Sequence, residues 1–119
     1  MFINEMIDKI KAHPDYSKVG MILIHNGVVR EATREGKGVT DLEISVDHEI
    51  LDNIIKDAKK RQGIVEVLIW IAEDKTLFVG DDIMYLVVAG DIRENVQDVL
   101  RDTLDKIKQT ATKKKQSYI

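Results

Sequence analysis

The sequence predicts an α+β domain with mainly antiparallel strands and three helices. Two observations carry this expectation: apolar residues recur at helical spacing in three separate segments, and runs rich in β-branched residues fall in pairs between them. Some connections between those runs are too short to hold the crossover that a parallel pair requires. At 119 residues the chain suits one domain, residues 1–119, with no room for a second core of ordinary size.

Taken in order, Phe2, Ile3, Met6, Ile7 and Ile10 form one helical stripe, which Pro14 closes. Val19 to Ile24 reads as a buried strand that stops at His25-Asn26-Gly27, with Val28-Val29 leading into a polar loop from Arg30 to Gly38. Leu42, Ile44 and Val46 alternate with Asp41, Glu43 and Ser45, as in a strand with one wet face. Asp47 then has the chemistry of a helix N-cap, followed by the stripe Ile50, Leu51, Ile54, Ile55 and Ala58. Lys59-Lys60-Arg61 before Gly63 suits the negative end of that helix.

Ile64 to Ile71, Leu77 to Val79 and Ile83 to Ala89 are the remaining strand candidates, with Gly80-Asp81-Asp82 as a solvated turn between the last two. Asp91 and Glu94 have capping-box spacing ahead of a stripe from Ile92 to Ile107, so the last helix is expected to reach about Lys108. Residues 109–119 lack periodicity and are expected to form a mobile basic tail. Strands with two apolar faces, such as Ile64 to Ile71 and Ile83 to Ala89, exceed what three short helices cover, which predicts a homodimer.

Composition excludes several function classes. The absence of cysteine rules out a disulfide framework, a thiolate metal site and any mechanism in which this chain carries sulfur on its own thiol. No apolar run approaches the roughly 20 residues of a membrane helix, and no leader pattern opens the sequence, so a cytoplasmic location is expected. The three histidines, His13, His25 and His48, lack the close helical spacing of metal ligands; no metal and no bound cofactor are expected. Nucleotide-binding glycine loops and a serine nucleophile elbow are also missing.

The informative residues are basic. Residues 1–100 hold 12 basic and 19 acidic groups, whereas residues 101–119 hold 6 and 2, so the C-terminal end is the positive pole. Arg30, Arg34 and Lys37 lie on a glycine-containing loop that suits an anion-binding rim, because guanidinium makes bidentate bonds to phosphate or carboxylate. Lys108 and Lys115 flank the end of the last helix, where a lysine among other cations can exchange a proton. Nucleic acid is a poor fit, since the rest of the chain is acidic and only six aromatic residues are available for stacking.

An ordered set of features resembles the large, catalytic subunit of molybdopterin synthase. They are Val19-Gly20 opening a strand, Gly27-Val28-Val29-Arg30 before a polar loop, Leu42-Glu43 before a helix, and Leu77-x-x-Gly80-Asp81-Asp82. Arg93 at the start of the last helix and Asp105-x-x-Lys108 followed by Lys115 complete the set, which spans about residues 17 to 115. The resemblance implies an α/β-hammerhead fold and a central homodimer with one small ubiquitin-like subunit at each end, a heterotetramer. That small subunit ends in Gly-Gly as a thiocarboxylate, whose sulfur goes to cyclic pyranopterin monophosphate to build molybdopterin. The missing cysteine is then no obstacle, because sulfur arrives on the partner.

Carried over by position, Lys108 would be the catalytic lysine beside the thiocarboxylate and Lys115 the second lysine. Arg30 would hold the pterin substrate and Arg93 would serve its anion pocket; Arg34 and Lys37, by their charge on the same loop and not by family position, are expected as further substrate contacts. Where the family usually carries two His-Arg pairs, this chain has Ala72-Glu73 and Ile92-Arg93. Thr112-Lys113-Lys114-Lys115 stands in place of Pro-Ile/Phe-Trp-Lys. The alternative reading is a non-catalytic relative, a dimeric binding or regulatory module for a ubiquitin-like partner.

Overall fold

A computed structural model describes residues 2–119. Its elements are α1 (Ile3–Lys11), β1 (Met21–Val28), β2 (Val39–Val46), α2 (His48–Lys59), β3 (Ile64–Ile71), β4 (Thr76–Phe78), β5 (Asp82–Gly90), α3 (Arg93–Lys106) and β6 (Thr112–Tyr118). A short 3-10 turn at Tyr16–Lys18 leads into β1, and a π turn at Ile107–Ala111 joins α3 to β6. The expected α+β class, with three helices and antiparallel pairing, is what the structure shows.

Two three-stranded sheets organise the chain. The larger has the order β1-β5-β3 and the smaller β4-β2-β6, all pairs antiparallel. β5 occupies the middle of the larger sheet and is buried on both faces. Met84, Leu86 and Val88 point to one cluster with Val96, Val99 and Ile107, while Val87 and Ala89 point to another with Met6 and Ile10. The result is three layers, with α1 on one side of the sheet and α2 and α3 on the other.

α1 has nine residues, too few to be stable alone in water. Met6 and Ile10, both fully buried, hold it against the sheet, each contributing about 1.5–3 kcal/mol over an exposed position. Beyond α1 the same sheet face carries Trp70 stacked on Tyr85, with ring centroids 5.1 Å apart. The smaller sheet closes the far end through Leu42, Ile44 and Leu77, packed on Val29 and Ala72. This end-to-end arrangement makes the molecule elongated, 49 × 25 × 24 Å.

Several local expectations change. Of residues 109–119, expected to be a mobile tail, 109–111 finish the π turn and Thr112–Tyr118 form β6, which pairs along β2 from Val46↔Thr112 to Val39↔Tyr118. Its pattern was hidden because this edge strand buries only Thr112 and Gln116 in part and leaves three consecutive lysines in water, as edges commonly do. His25-Asn26-Gly27 does not end β1; these residues pair with Leu86, Tyr85 and Met84. The Asn26 amide, a turn former in isolation, instead donates to the Met84 carbonyl and the Asp82 carboxylate across the ladder.

The capping box also does not form. Ile92 is the N-cap of α3, and Asp91, one residue too early, accepts from the Ile92 N–H at 2.7 Å and from Asn95 Nδ2 at 3.0 Å. Asp47 caps α2 as expected, accepting from the Ile50 N–H at 3.1 Å. In β2 the register shift between Val39 and Asp41 explains the imperfect alternation: both Val39 and Leu42 are buried although they differ by an odd number of positions.

Gly20 tests the junction where β1 begins beside the end of β5. A Cβ there would stand 2.1 Å from the Asp91 carbonyl oxygen, so the two backbones must part. Gly20→Ala is expected to cost about 1–3 kcal/mol, as overpacking does. Thermal melting should show Tm lower by roughly 5–15 °C; an unchanged Tm would mean that this close approach does not hold in solution.

Candidate functional site

β1 delivers the chain to the loop that carries Arg30, Arg34 and Lys37, and β6 fixes that loop in place. Within the loop, Thr33 N–H donates to the Lys37 carbonyl at 2.8 Å, Lys37 N–H donates to Thr33 Oγ1 at 3.0 Å, and Gly36 takes φ +85°. The Ile119 N–H donates to the Gly38 carbonyl at 3.1 Å, and the Lys37 ammonium sits 3.9 Å from the centre of the Tyr118 ring. The loop is therefore clamped by the strand that was expected to be mobile.

Between loop and strand lies an open cavity of about 310 Å³, lined among others by Arg30, Arg34, Glu35, Ile83, Lys114 and Tyr118. Three cations against one carboxylate make it a place for an anion. Lys114 is the residue that sequence reasoning missed. Its signal was available only through the pairing of β6, because alternation sends Lys114, Gln116 and Tyr118 to the cavity side and Lys113 and Lys115 to the other.

Lys115 therefore does not line this cavity; it is exposed opposite Glu43 on β2. Lys113, on its side of the strand, borders a second cavity of about 470 Å³ with Ser45, Asp47, Ile50 and Thr110. Lys108 stands in the π turn, exposed, directly after the fully buried Ile107. Arg93 starts α3, beside the Met21 end of β1, and among the described residues its one ion-pair partner is its neighbour Glu94 at 3.4 Å. The length of α3 separates it from Lys108 by about 22 Å, and β1 separates it from Arg30 by about 26 Å. Within one chain, Arg30, Arg34 and Lys114 come together, and Arg93 does not join them.

Two polar arrangements flank β1. On one face Asp82 accepts hydrogen bonds from Tyr85 Oη and Asn26 Nδ2, which hold its carboxyl below the usual range and push the Tyr85 phenol up. On the other face is His25, in a strand and not in the expected turn. Burial first, and then the charge of Lys108, lower the proton affinity of its imidazole below the ordinary 6.5. At the positions aligned with the family's first His-Arg pair, Ala72 is buried in the core, and Glu73 accepts from His48 Nε2 at 2.8 Å.

The fold is that of known molybdopterin proteins. The structure superposes on the molybdopterin synthase of Staphylococcus aureus with TM-score 0.73 at 20% identity, covering 86% of this chain and 77% of that one. It matches a molybdopterin cofactor biosynthesis protein E from Burkholderia multivorans with TM-score 0.77 at 23% identity, over 100% of this chain and 84% of that one. A complex of subunits 1 and 2 of molybdopterin-converting factor from Helicobacter pylori gives 0.73 at 16% identity, over 100% and 83%. At such identities these likenesses speak to fold; no curated protein sequence matches the chain. The sequence model of the MoaE protein family matches residues 3–110. The chain belongs to the MoaE protein family. Among the solved neighbours is a molybdopterin biosynthesis MoaE protein from Burkholderia ambifaria, and the resemblance read over about residues 17 to 115 is confirmed at family level.

His25 makes the stability of this MoaE-family chain pH-dependent in a defined direction. Its imidazole binds protons more weakly in the folded than in the unfolded state, so its contribution is complete above about 6.5 and is lost as pH falls through the lower folded value. Urea unfolding at pH 7.5 and 5.5 should show a smaller acid loss in His25→Phe than in wild type. Equal losses in both proteins would contradict the burial described for the ring.

Proposed function

We propose that this chain is the catalytic subunit of a molybdopterin synthase, acting in the cytoplasm. In this reading it seats the C-terminal thiocarboxylate of a small ubiquitin-like subunit beside cyclic pyranopterin monophosphate and promotes sulfur transfer to the pterin. The observation that supports it best is the convergence of Arg30, Arg34 and Lys114 on one open cavity, in a chain that is otherwise net acidic. A phosphate and a thiocarboxylate brought together repel each other unless cations stand around them. The family match and the fold are consistent with a part in molybdopterin biosynthesis, and the basic cavity offers room for an anionic substrate.

In this reading Lys108 works at the thiocarboxylate, and Lys115 attracts the partner's tail from the opposite side of β6. Lys37 is committed to Tyr118 and serves to hold the loop. Arg93 contributes to a pocket of this kind only if a second subunit brings it there. Homodimerisation is part of the proposal, supported by Phe78 and Val79, exposed at 58% and 48%, in a turn hydrogen-bonded to Val29. The non-catalytic alternative draws on the missing His-Arg and aromatic motifs, and at the first of them Ala72 and Glu73 are occupied in packing and in the His48 pair.

Reconstitution with thiocarboxylated small subunit and cyclic pyranopterin monophosphate, followed by mass analysis of the pterin, tests the activity. Lys108→Ala is expected to abolish transfer, and Lys108→Arg not to rescue it, because a guanidinium keeps its proton near neutral pH. Lys115→Ala should weaken transfer several-fold, mainly through KM. A Lys108→Ala enzyme as fast as wild type removes the assignment, and a wild type that forms no dithiolene with a competent partner leaves the binding-module reading. Light scattering should give a particle of twice 13.6 kDa, and a lone monomer at micromolar concentration would end the dimer proposal.

A further inference from the structure

β1 carries one polar side chain on the face it turns toward α3. Strand alternation places Leu23, His25 and Gly27 there, opposite Val88, Leu86 and Met84 of β5. Met84, Leu86 and Val88 are buried apolar residues, so the neighbouring strand offers His25 no hydrogen-bonding side chain. Its Nε2 is shielded from water and has no hydrogen-bond partner among the described residues. Buried ring nitrogens are ordinarily paired, and an orphan of this kind calls for an explanation.

The ring lies back along the strand over Gly27. A Cβ at position 27 would stand 3.5 Å from His25 Nε2, an ordinary contact, and 3.3 Å from Met84 Cγ, a tight one, which places the ring nitrogen directly beside Gly27. The element packed above is the end of α3 and its π turn. Ile107 of that turn is fully buried in the same cluster as Leu23, Met84 and Leu86, and the next residue is Lys108. Among the described residues, the Lys108 ammonium makes no ion pair. An unpaired imidazole nitrogen and an unpaired ammonium thus stand on adjoining elements. The strand under them runs on through Gly27 to Arg30 at the basic cavity.

We propose that His25 is a positioning residue for Lys108: its Nε2 accepts a hydrogen bond from the Lys108 ammonium when the partner's tail is seated, fixing Nζ against the thiocarboxylate. This rests on the reading of Lys108 as the catalytic lysine. The acceptor role needs a neutral ring with its proton on Nδ1. Burial and the Lys108 charge both favour the neutral form. No other charged group contributes to that shift; the Asp82 carboxylate belongs to the opposite face, tied to Asn26 and Tyr85. A π turn suits the arrangement, since it re-aims one side chain out of the regular helical row.

Two measurements on the intact protein test the pairing. Coupling between the two groups is reciprocal, so NMR titration of the His25 ring protons should give a midpoint higher in Lys108→Met than in wild type by about half a pH unit or more. In the reconstituted reaction, His25→Phe should lower kcat by about tenfold or more with KM little changed, and His25→Gln, which retains an acceptor, should recover part of the loss. An unmoved His25 midpoint in folded Lys108→Met overturns the pairing. So does a His25→Phe enzyme with wild-type kcat. An inactive wild type overturns the sulfur-transfer reading and with it the positioning role, while the titration still decides whether the two groups are coupled.

Discussion

The structure depends on β5 being buried on both faces. From Met84 to Ala89 its only polar side-chain group is the Tyr85 hydroxyl, directed to Asp82, so the strand has to be covered from two sides. α1 supplies one cover and the α2–α3 pair the other, and β1 and β3 satisfy its backbone from left and right. Everything placed at the site follows from that. β1 must run along β5 and emerge at Arg30, and α3 must cross so that Ile107 closes the core and Lys108 comes out beside β1.

Charge is then sorted by strand geometry more than by sequence neighbourhood. Lys113, Lys114 and Lys115 are consecutive, yet the pleat of β6 assigns Lys114 to the arginine-lined cavity and the other two to the reverse side. Lys37, which from its spacing belonged with Arg30 and Arg34, is engaged with Tyr118 instead. The cavity's positive character therefore comes from residues about 80 positions apart in the chain, joined by the pairing of β6 with β2.

Much of the fold was legible in the sequence. Helical stripes and β-branched runs located α1, α2, β3 and β5 to within a few residues, because in each the buried face repeats with a single period. What escaped was decided by cross-strand partners. Asn26 and Gly27 look like a turn until Met84 and Asp82 take their hydrogen bonds, and a lysine-rich edge strand has no apolar period to display. Of the proposed site, Arg30, Arg34 and Lys108 were named from motif and charge. Lys114 and His25 were not, since Lys114 sat in a tail with no visible register and His25 in an assumed turn.

In the proposed synthase, a cysteine-free chain handles sulfur only by positioning and proton chemistry, never by carrying it. The most direct measurement is a single-turnover reaction with isotopically labelled sulfur in the partner's thiocarboxylate, followed by intact-mass analysis of both proteins and the pterin. Label is expected in the pterin dithiolene, with loss of one sulfur from the partner per transfer and an unchanged mass for this chain. Label that remains on the partner in the presence of pterin, or a sulfur adduct on this chain, would contradict it.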